Sequence, residues 1–246
     1  MTGSRSVQLA VRGAAVPALV FEPPTDRTAP RPAIVLAAEA YGLNEFTRRV
    51  AGELAAEGYV VVVPDYYRGV GLQRPDDYSD FTEVMGFIEE LDFTEAVHDV
   101  MAAVDHARSM PAVDPDRVAV WGYCTGGTLA MLTAALDARL AAAVWFFPSQ
   151  PTFPELSDKR PVHAIDLLWN VACPVQLIYG DQDAGLVALA PEIIRRFERY
   201  GVEHRVDVYE GAGHAFSAPD PPLRHDAADR ASWADATAFA AAHLRP

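Results

Sequence analysis

The segment of residues 121–127, which reads Trp-Gly-Tyr-Cys-Thr-Gly-Gly, constrains the fold of this chain more than any other. An apolar run at 117–121 precedes it and an Ala- and Leu-rich run at 128–136 follows, so the pattern predicts a sharp turn from a strand into a helix. Gly122 and Gly126 fit such a turn because two backbones that approach closely leave no room for a Cβ atom. A cysteine between two glycines at this kind of turn is typical of a nucleophile elbow, with sulfur at the position that serine usually holds.

The thiol of Cys124 is therefore a candidate nucleophile. The predicted helix directs free backbone N–H groups and the positive end of its dipole at the sulfur. A free thiol has a pKa of about 8.5, and a helix N-terminus lowers that pKa and favours the reactive thiolate. Most free cysteines are small buried core residues, but the flanking glycines favour the catalytic interpretation.

Bulk properties exclude several classes of protein. The chain has 246 residues, half of them hydrophobic, which suits a single α/β domain over residues 1–246. The formal net charge is −14 and there is no basic block, so we expect no binding to nucleic acid or to anionic membranes. Two cysteines are too few for a disulfide framework or a cysteine-built zinc site. The low cysteine content fits a reducing compartment, and residues 1–13 contain no apolar signal segment. Both observations predict a cytoplasmic protein.

Strands and helices alternate along the sequence, which predicts a mostly parallel sheet with helices on both faces. The predicted elements are a hairpin at 7–22, a strand at 33–37, a helix at 44–57, a strand at 59–64, a helical region at 81–110 broken near Leu91, the elbow strand and its helix, strands at 140–147 and 175–179, a helix at 191–200, a strand at 205–209 and a final helix ending near His243. The loop at 149–170 is a candidate lid, because long loops in compact domains are usually functional.

Reactive side chains follow three of the predicted strands, in the order Cys124, Asp181 or Asp183, and His214. In sheets of this kind functional groups gather beyond the carboxyl ends of the strands. The order nucleophile, acid, histidine is that of the α/β-hydrolases. In this interpretation the thiolate attacks a carbonyl carbon, the histidine handles the proton and the aspartate fixes the imidazole tautomer.

Two of these assignments have competitors. Asp183 is favoured as the acid because Asp181 follows the strand more closely and fits a turn cap. His214 lies among glycines, which permit the close backbone approach of a catalytic loop. His163 in the 149–170 loop is the main alternative, and the other five histidines fit surface positions.

Glu39 ends the strand at 33–38 and is a further candidate. A carboxylate beside a thiol could hold it protonated or deprotonate it, whereas an isolated Glu at a strand end is usually exposed. The oxyanion hole of an elbow combines the backbone N–H after the nucleophile with one from the loop after this strand. The predicted donors of the oxyanion hole are therefore the backbone N–H groups of Thr125 and Ala40.

Four motifs together resemble the dienelactone hydrolase family over almost the whole chain: E-x-x-G-x-N at Glu39, G-x-C-x-G-G at Cys124, G-x-x-D at Asp183 and G-x-G-H-x-F at His214. The resemblance implies an α/β-hydrolase fold, a Cys124–His214–Asp183 triad, and hydrolysis of enol-lactones and related esters with neither metal nor organic cofactor. It also implies that Glu39 hydrogen-bonds the resting thiol and swings away when substrate binds.

The chain departs from the family pattern where the family holds the carboxylate of its substrate. No arginine follows the His214 motif, so Arg68 and Arg74 are substitute candidates, because Arg suits bidentate carboxylate binding. Tyr41 and Tyr123, beside the two key motifs, are further candidate substrate contacts. The insert at 149–170 is longer than the family's usual connection.

The sequence thus predicts a cysteine-dependent hydrolase of a small carboxylic ester or lactone. The same acyl-enzyme chemistry would serve a thioesterase or an acyltransferase. A non-catalytic ligand-binding protein on this scaffold is the third hypothesis. The natural substrate and the oligomeric state are not predicted.

Overall fold

An eight-stranded sheet forms the centre of the molecule. The computed structural model describes residues 3–24, 29–72, 78 and 82–245. The strands are β1 Ser4–Val11, β2 Ala14–Phe21, β3 Arg31–Ala37, β4 Val60–Pro64, β5 Val113–Tyr123, β6 Ala142–Phe146, β7 Val175–Gly180 and β8 His204–Tyr209. Their order across the sheet is β1-β2-β4-β3-β5-β6-β7-β8. The β1–β2 and β2–β4 pairs are antiparallel and the others parallel, which confirms the predicted α/β class.

Within the described residues, six α-helices and one short 3-10 helix surround the sheet. They are α1 Glu45–Ala56, α2 Thr82–Glu90, α3 Phe93–Ser109, α4 Thr125–Leu136, the 3-10 helix Ala164–Asn170, α5 Ala184–Tyr200 and α6 Asp226–Leu244. Every residue of β4, β6 and β7 is buried, as expected for parallel strands covered on both faces. None of the helices within the described ranges is long and apolar enough to cross a bilayer.

Local sequence signals explain most helix boundaries. Asn44 caps α1 by accepting a hydrogen bond from the Thr47 N–H at 2.9 Å, at the predicted start of this helix. The predicted break near Leu91 is confirmed, since α2 ends at Glu90 and Asp92 caps α3. The first residue predicted for that helical region, Phe81, lies outside the described residues.

The prediction of a helix at 191–200 is wrong at its start, because α5 begins at Ala184. Asp183 caps it, and its Oδ1 accepts a hydrogen bond from the Leu186 N–H at 3.3 Å. Pro191 therefore lies inside the helix rather than in its first turn, where proline is usually tolerated. The early start brings the N-terminus of α5 to the end of β7.

The 149–170 segment packs against α2 and α3. The ring of Phe153 lies 4.8 Å from that of Phe93, centroid to centroid. Arg160 donates to the Glu89 carbonyl oxygen at 2.7 Å, and so ties the segment to the C-terminal end of α2. A lid role for this segment stays a prediction.

Candidate active site

The turn after β5 has the geometry of a nucleophile elbow. Cys124 has φ 52° and ψ −116°, a conformation that is strained for a residue with a side chain. A Cβ atom on Gly122 would lie 2.0 Å from the Gly126 carbonyl oxygen, and one on Gly126 would lie 2.2 Å from that of Ala37. Only glycine fits at either place, and α4 starts directly after the turn, at Thr125.

The sulfur of Cys124 lies among hydrogen-bond donors. The Nε2 atom of His214 is 3.2 Å away, and the Ser149 hydroxyl and the Thr125 N–H also contact the sulfur. Burial by itself raises the pKa of the thiol. The positive charge of His214 and these three hydrogen bonds outweigh burial and lower the Cys124 pKa below its usual value.

His214 is held from its other side by Asp183, whose Oδ2 atom lies 2.6 Å from Nδ1. Burial lowers the pKa of His214, but the negative charge of Cys124 and the hydrogen bonds to Asp183 and Cys124 raise it to about 10. Burial raises the pKa of Asp183, and the hydrogen bond with His214 outweighs that effect and lowers it. Both shifts act in the same direction, since they favour a proton on His214 and a negative charge on the sulfur of Cys124.

The loops that carry the acid and the histidine meet because Gly180 has no side chain. A Cβ atom there would lie 2.0 Å from the Ala212 carbonyl oxygen. The same carbonyl accepts a hydrogen bond from the Gln182 N–H at 2.9 Å. Asp181 accepts from the Gly211 N–H at 2.8 Å and thus caps the turn, which leaves Asp183 against the imidazole.

Glu39 is buried, so the alternative of an exposed strand-end carboxylate is wrong. Its oxygens accept hydrogen bonds from the Tyr41 N–H at 2.9 Å and from Asn44 Nδ2 at 2.6 Å. Burial is the main cause that raises the pKa of Glu39 to about 8, and the negative charge of Cys124 raises it further. The hydrogen bonds from Tyr41 and Asn44 act in the opposite direction. This geometry differs from the one implied by the family resemblance, in which this glutamate hydrogen-bonds the thiol.

A cavity of about 280 Å³ opens beside Cys124 and His214. Tyr41 and Tyr123, two of the candidate substrate contacts, line it. So does Ala40, whose N–H is the second predicted oxyanion donor. The remaining lining residues are Glu39, Phe46, Tyr78, Met85, Ile88, Phe147, Ser149, Gln150, Ala215 and Ala218.

Two residues beside Cys124 also have a positive φ angle, which is strained for a residue with a side chain. Phe147 has φ 33° and Ala215 has φ 58°, and both line the cavity. The Phe147 ring packs edge-on against the imidazole of His214, with centroids 5.2 Å apart. Strain of this kind costs about 1–3 kcal/mol per residue and concentrates at functional sites.

Arg68 and His163, two other residues considered for the site, contact groups outside the triad. Arg68 donates to both carboxylate oxygens of Asp99, at 2.8 and 2.9 Å, and to Glu95 at 3.1 Å, and it does not line the cavity. Its interpretation as a substrate contact is corrected, because these carboxylates already hold its guanidinium. Arg74 lies outside the described residues. His163 accepts the Phe153 N–H at 3.1 Å within its own segment, which corrects its interpretation as a rival catalytic residue.

Ser149 is the site residue that the sequence analysis missed. Its N–H donates to the Cys124 carbonyl oxygen at 3.1 Å, and its hydroxyl lies 3.5 Å from the Thr125 hydroxyl as well as contacting the sulfur. A usable signal existed, because Ser149 closely follows β6, the strand that pairs in parallel with β5.

The mostly parallel sheet, the elbow after its central strand and the nucleophile–acid–histidine order define an α/β-hydrolase. The model of the dienelactone hydrolase family matches residues 16–244, and the chain belongs to this family. It is a dienelactone-hydrolase-like ester or lactone hydrolase.

Three similar proteins illustrate the relationship. A Salmonella typhimurium protein provisionally named carboxymethylenebutenolidase is 30% identical over 207 residues, which cover 82% of this chain and 74% of that protein. A Bradyrhizobium protein provisionally named 2-oxo-3-(5-oxofuran-2-ylidene)propanoate lactonase is 27% identical, covering 87% of this chain and 84% of that protein. A Klebsiella pneumoniae crystal structure, provisionally a dienelactone hydrolase, superposes with TM-score 0.86 at 23% identity and covers 98% of this chain and 99% of its own. The superposition supports the shared fold.

Proposed function

We propose that this protein hydrolyses a carboxylic ester or lactone through an acyl-enzyme on Cys124. The observation that carries the proposal is the continuous hydrogen-bonded line from sulfur to imidazole to carboxylate, with distances of 3.2 Å and 2.6 Å. In a triad of this kind the nucleophile is activated by the base, and the base is oriented by the third group.

The first half-reaction forms a thioester. The thiolate of Cys124 attacks the carbonyl carbon, and the carbonyl electron pair moves to oxygen. Backbone N–H groups of Thr125 and Ala40 are the proposed donors to this oxyanion. The tetrahedral intermediate then expels the alkoxide or enolate, which takes the proton from His214 Nε2 and leaves as alcohol or enol.

The second half-reaction releases the acid. His214, now neutral, removes a proton from water, and the resulting hydroxide attacks the thioester carbon. Collapse of the second tetrahedral intermediate breaks the carbon–sulfur bond. The products are a carboxylic acid and the regenerated thiolate beside imidazolium. Asp183 stays ionised throughout, since its role is to orient the imidazole and stabilise its positive charge.

We propose a positioning role for Glu39. With its pKa raised to about 8, its carboxyl is mostly protonated at neutral pH and places no second negative charge beside the thiolate. Its hydrogen bonds to the Tyr41 N–H and Asn44 keep the loop after β3 in place. That loop also carries Ala40, the proposed oxyanion donor.

Pre-steady-state kinetics test the mechanism. With a 4-nitrophenyl ester, we expect a burst of nitrophenol of one equivalent per enzyme and an acylated Cys124 by mass spectrometry after acid quenching. Cys124→Ala should abolish the burst and lower kcat/KM by about a thousandfold or more. A Cys124→Ala variant that turns over like the wild type would refute the proposal, and Cys173→Ala is the matched control.

One observation favours acyl transfer as a second candidate. A second cavity of about 140 Å³ also borders His214, with Ser149, Asp183 and Leu186 among its lining residues. An alcohol or thiol held there could replace water in the second half-reaction. Added acceptor alcohols should then divert acyl groups from acid to new ester, and product ratios that stay at pure hydrolysis would exclude transfer.

A further inference from the structure

We infer that the acyl group bound beside Cys124 is uncharged and apolar, so that the substrate is a neutral aromatic or short aliphatic ester rather than a carboxylate-bearing lactone. This inference rests on the proposed function and adds the substrate class.

Most residues that line the 280 Å³ cavity are aromatic or aliphatic, and the others are Glu39, Cys124, Ser149, Gln150 and His214. Phe46 on α1, Ile88 on α2 and Phe147 directly after β6 are buried, and Met85 on α2 is 43% exposed. The aromatic rings support one another, since Phe46 meets Tyr123 edge-on at 5.3 Å. An apolar cavity of about 150 Å³ is known to stay dry and bind benzene, so this one has room for one ring with a short substituent.

Charge also disfavours an anionic acyl group. The ionisable lining residues are Glu39, Cys124, His214 and the tyrosines, and the described lining contains no lysine or arginine. The positive charge of His214 is already shared between Cys124 and Asp183. Among the described residues, no lysine or arginine would pair with a substrate carboxylate buried next to a thiolate, which is unfavourable.

Arg49 and Arg160, two arginines near this region, already have partners. Arg49 borders a neighbouring cavity behind Phe46 and Tyr123, where it bonds Glu53 at 3.0 Å. Arg160 donates to backbone carbonyl oxygens at the end of α2. At a distance, the net charge of −14 also repels anions. Local and long-range electrostatics therefore point to the same neutral substrate.

Three esters with one leaving group test the inference: the 4-nitrophenyl esters of 4-methylbenzoate, 4-carbamoylbenzoate and 4-carboxybenzoate. The carbamoyl compound has the shape of the carboxylate without its charge. We expect kcat/KM to be about tenfold or more higher for the methyl ester than for the carboxylate, with the carbamoyl ester between them. Equal or faster turnover of the carboxylate would overturn the inference. Failure of the proposed function would look different, with no burst from any of the three.

A variant with an added cation tests whether this cavity holds the acyl group. Met85→Arg places a guanidinium at a half-exposed lining position, and we expect it to raise kcat/KM for the carboxylate relative to the methyl ester by about fivefold. Leu136→Arg at the end of α4, 46% exposed and outside the cavity, is the matched control for net charge. If the ratio of kcat/KM for the carboxylate ester to that for the methyl ester changes equally in both variants, this cavity does not hold the acyl group. Met85→Lys repeats the test should the arginine variant unfold.

Discussion

Ser149 contacts Cys124 twice, through its N–H to the Cys124 carbonyl oxygen at 3.1 Å and through its hydroxyl to the sulfur. The backbone contact fixes the position of the serine, and the hydroxyl contact favours the ionised thiol. A residue that no motif singles out thus stabilises the proposed nucleophile.

Replacing this serine should weaken the nucleophile. We expect Ser149→Ala to lower kcat/KM by about tenfold, the value of a hydrogen bond to a charged group. The acidic limb of the pH profile of kcat/KM should move to higher pH, because the thiolate loses a stabilising donor. Ser149→Thr, which keeps the hydroxyl, should retain the wild-type limb. If the alanine variant changes the rate but not the limb, the effect of Ser149 is structural only.

Glu39 should make the protein less stable as the pH rises. Its pKa is raised from 4.5 in the unfolded chain to about 8 in the folded protein. Between these values the folded state binds more protons than the unfolded state, so the free energy of unfolding falls with rising pH, by at most about 1.4 kcal/mol per pH unit.

Urea unfolding of Glu39→Gln at pH 5 and pH 8 measures this contribution. In Glu39→Gln the free energy of unfolding should fall less between pH 5 and pH 8 than in the wild type. Glu45→Gln, at an exposed position of α1, is the control and should show the wild-type fall. If the free energy of unfolding changes equally between pH 5 and pH 8 in the wild type and in Glu39→Gln, the Glu39 carboxyl is not buried as in this structure.

The contact between Gly180 and Ala212 should be necessary for the triad. In Gly180→Ala the added Cβ would meet the Ala212 carbonyl oxygen at 2.0 Å, so the two loops must separate. A misplacement of about 1 Å costs roughly a hundredfold in rate, and overpacking costs about 1–3 kcal/mol of stability. Kinetics and thermal unfolding measure both losses. Gly86→Ala in α2, where a Cβ meets nothing within 4 Å, is the control and should unfold at the same or higher temperature.

The elements that sequence reasoning could locate were those specified by local signals. The glycines of the elbow, the Asn44 cap and the alternation of strands and helices all act within a few residues of chain. They were enough to predict the fold class and the order of the proposed triad. Family motifs extended this to Glu39, although not to the direction in which its carboxyl points.

What could not be predicted depends on contacts between distant parts of the chain. Arg68 pairs with Asp99, 31 residues away, and nothing in the local sequence distinguishes this pair from a substrate contact. The start of α5 is hard to locate from the sequence because proline is common in the first turn of a helix, whereas the cap at Asp183 starts this helix before Pro191. Ser149 required knowledge that β6 lies beside β5.

The central claim is that Cys124 is a thiolate stabilised by His214, and the pH dependence of its alkylation tests it most directly. Brief iodoacetamide treatment followed by mass spectrometry of each cysteine gives the midpoint for Cys124. Cys173 is the internal control, because burial raises its pKa to about 12 and it should stay unlabelled. We predict a Cys124 midpoint below the free-thiol value of about 8.5, moving upward in His214→Gln. A midpoint at or above that value that does not change in His214→Gln would contradict the account.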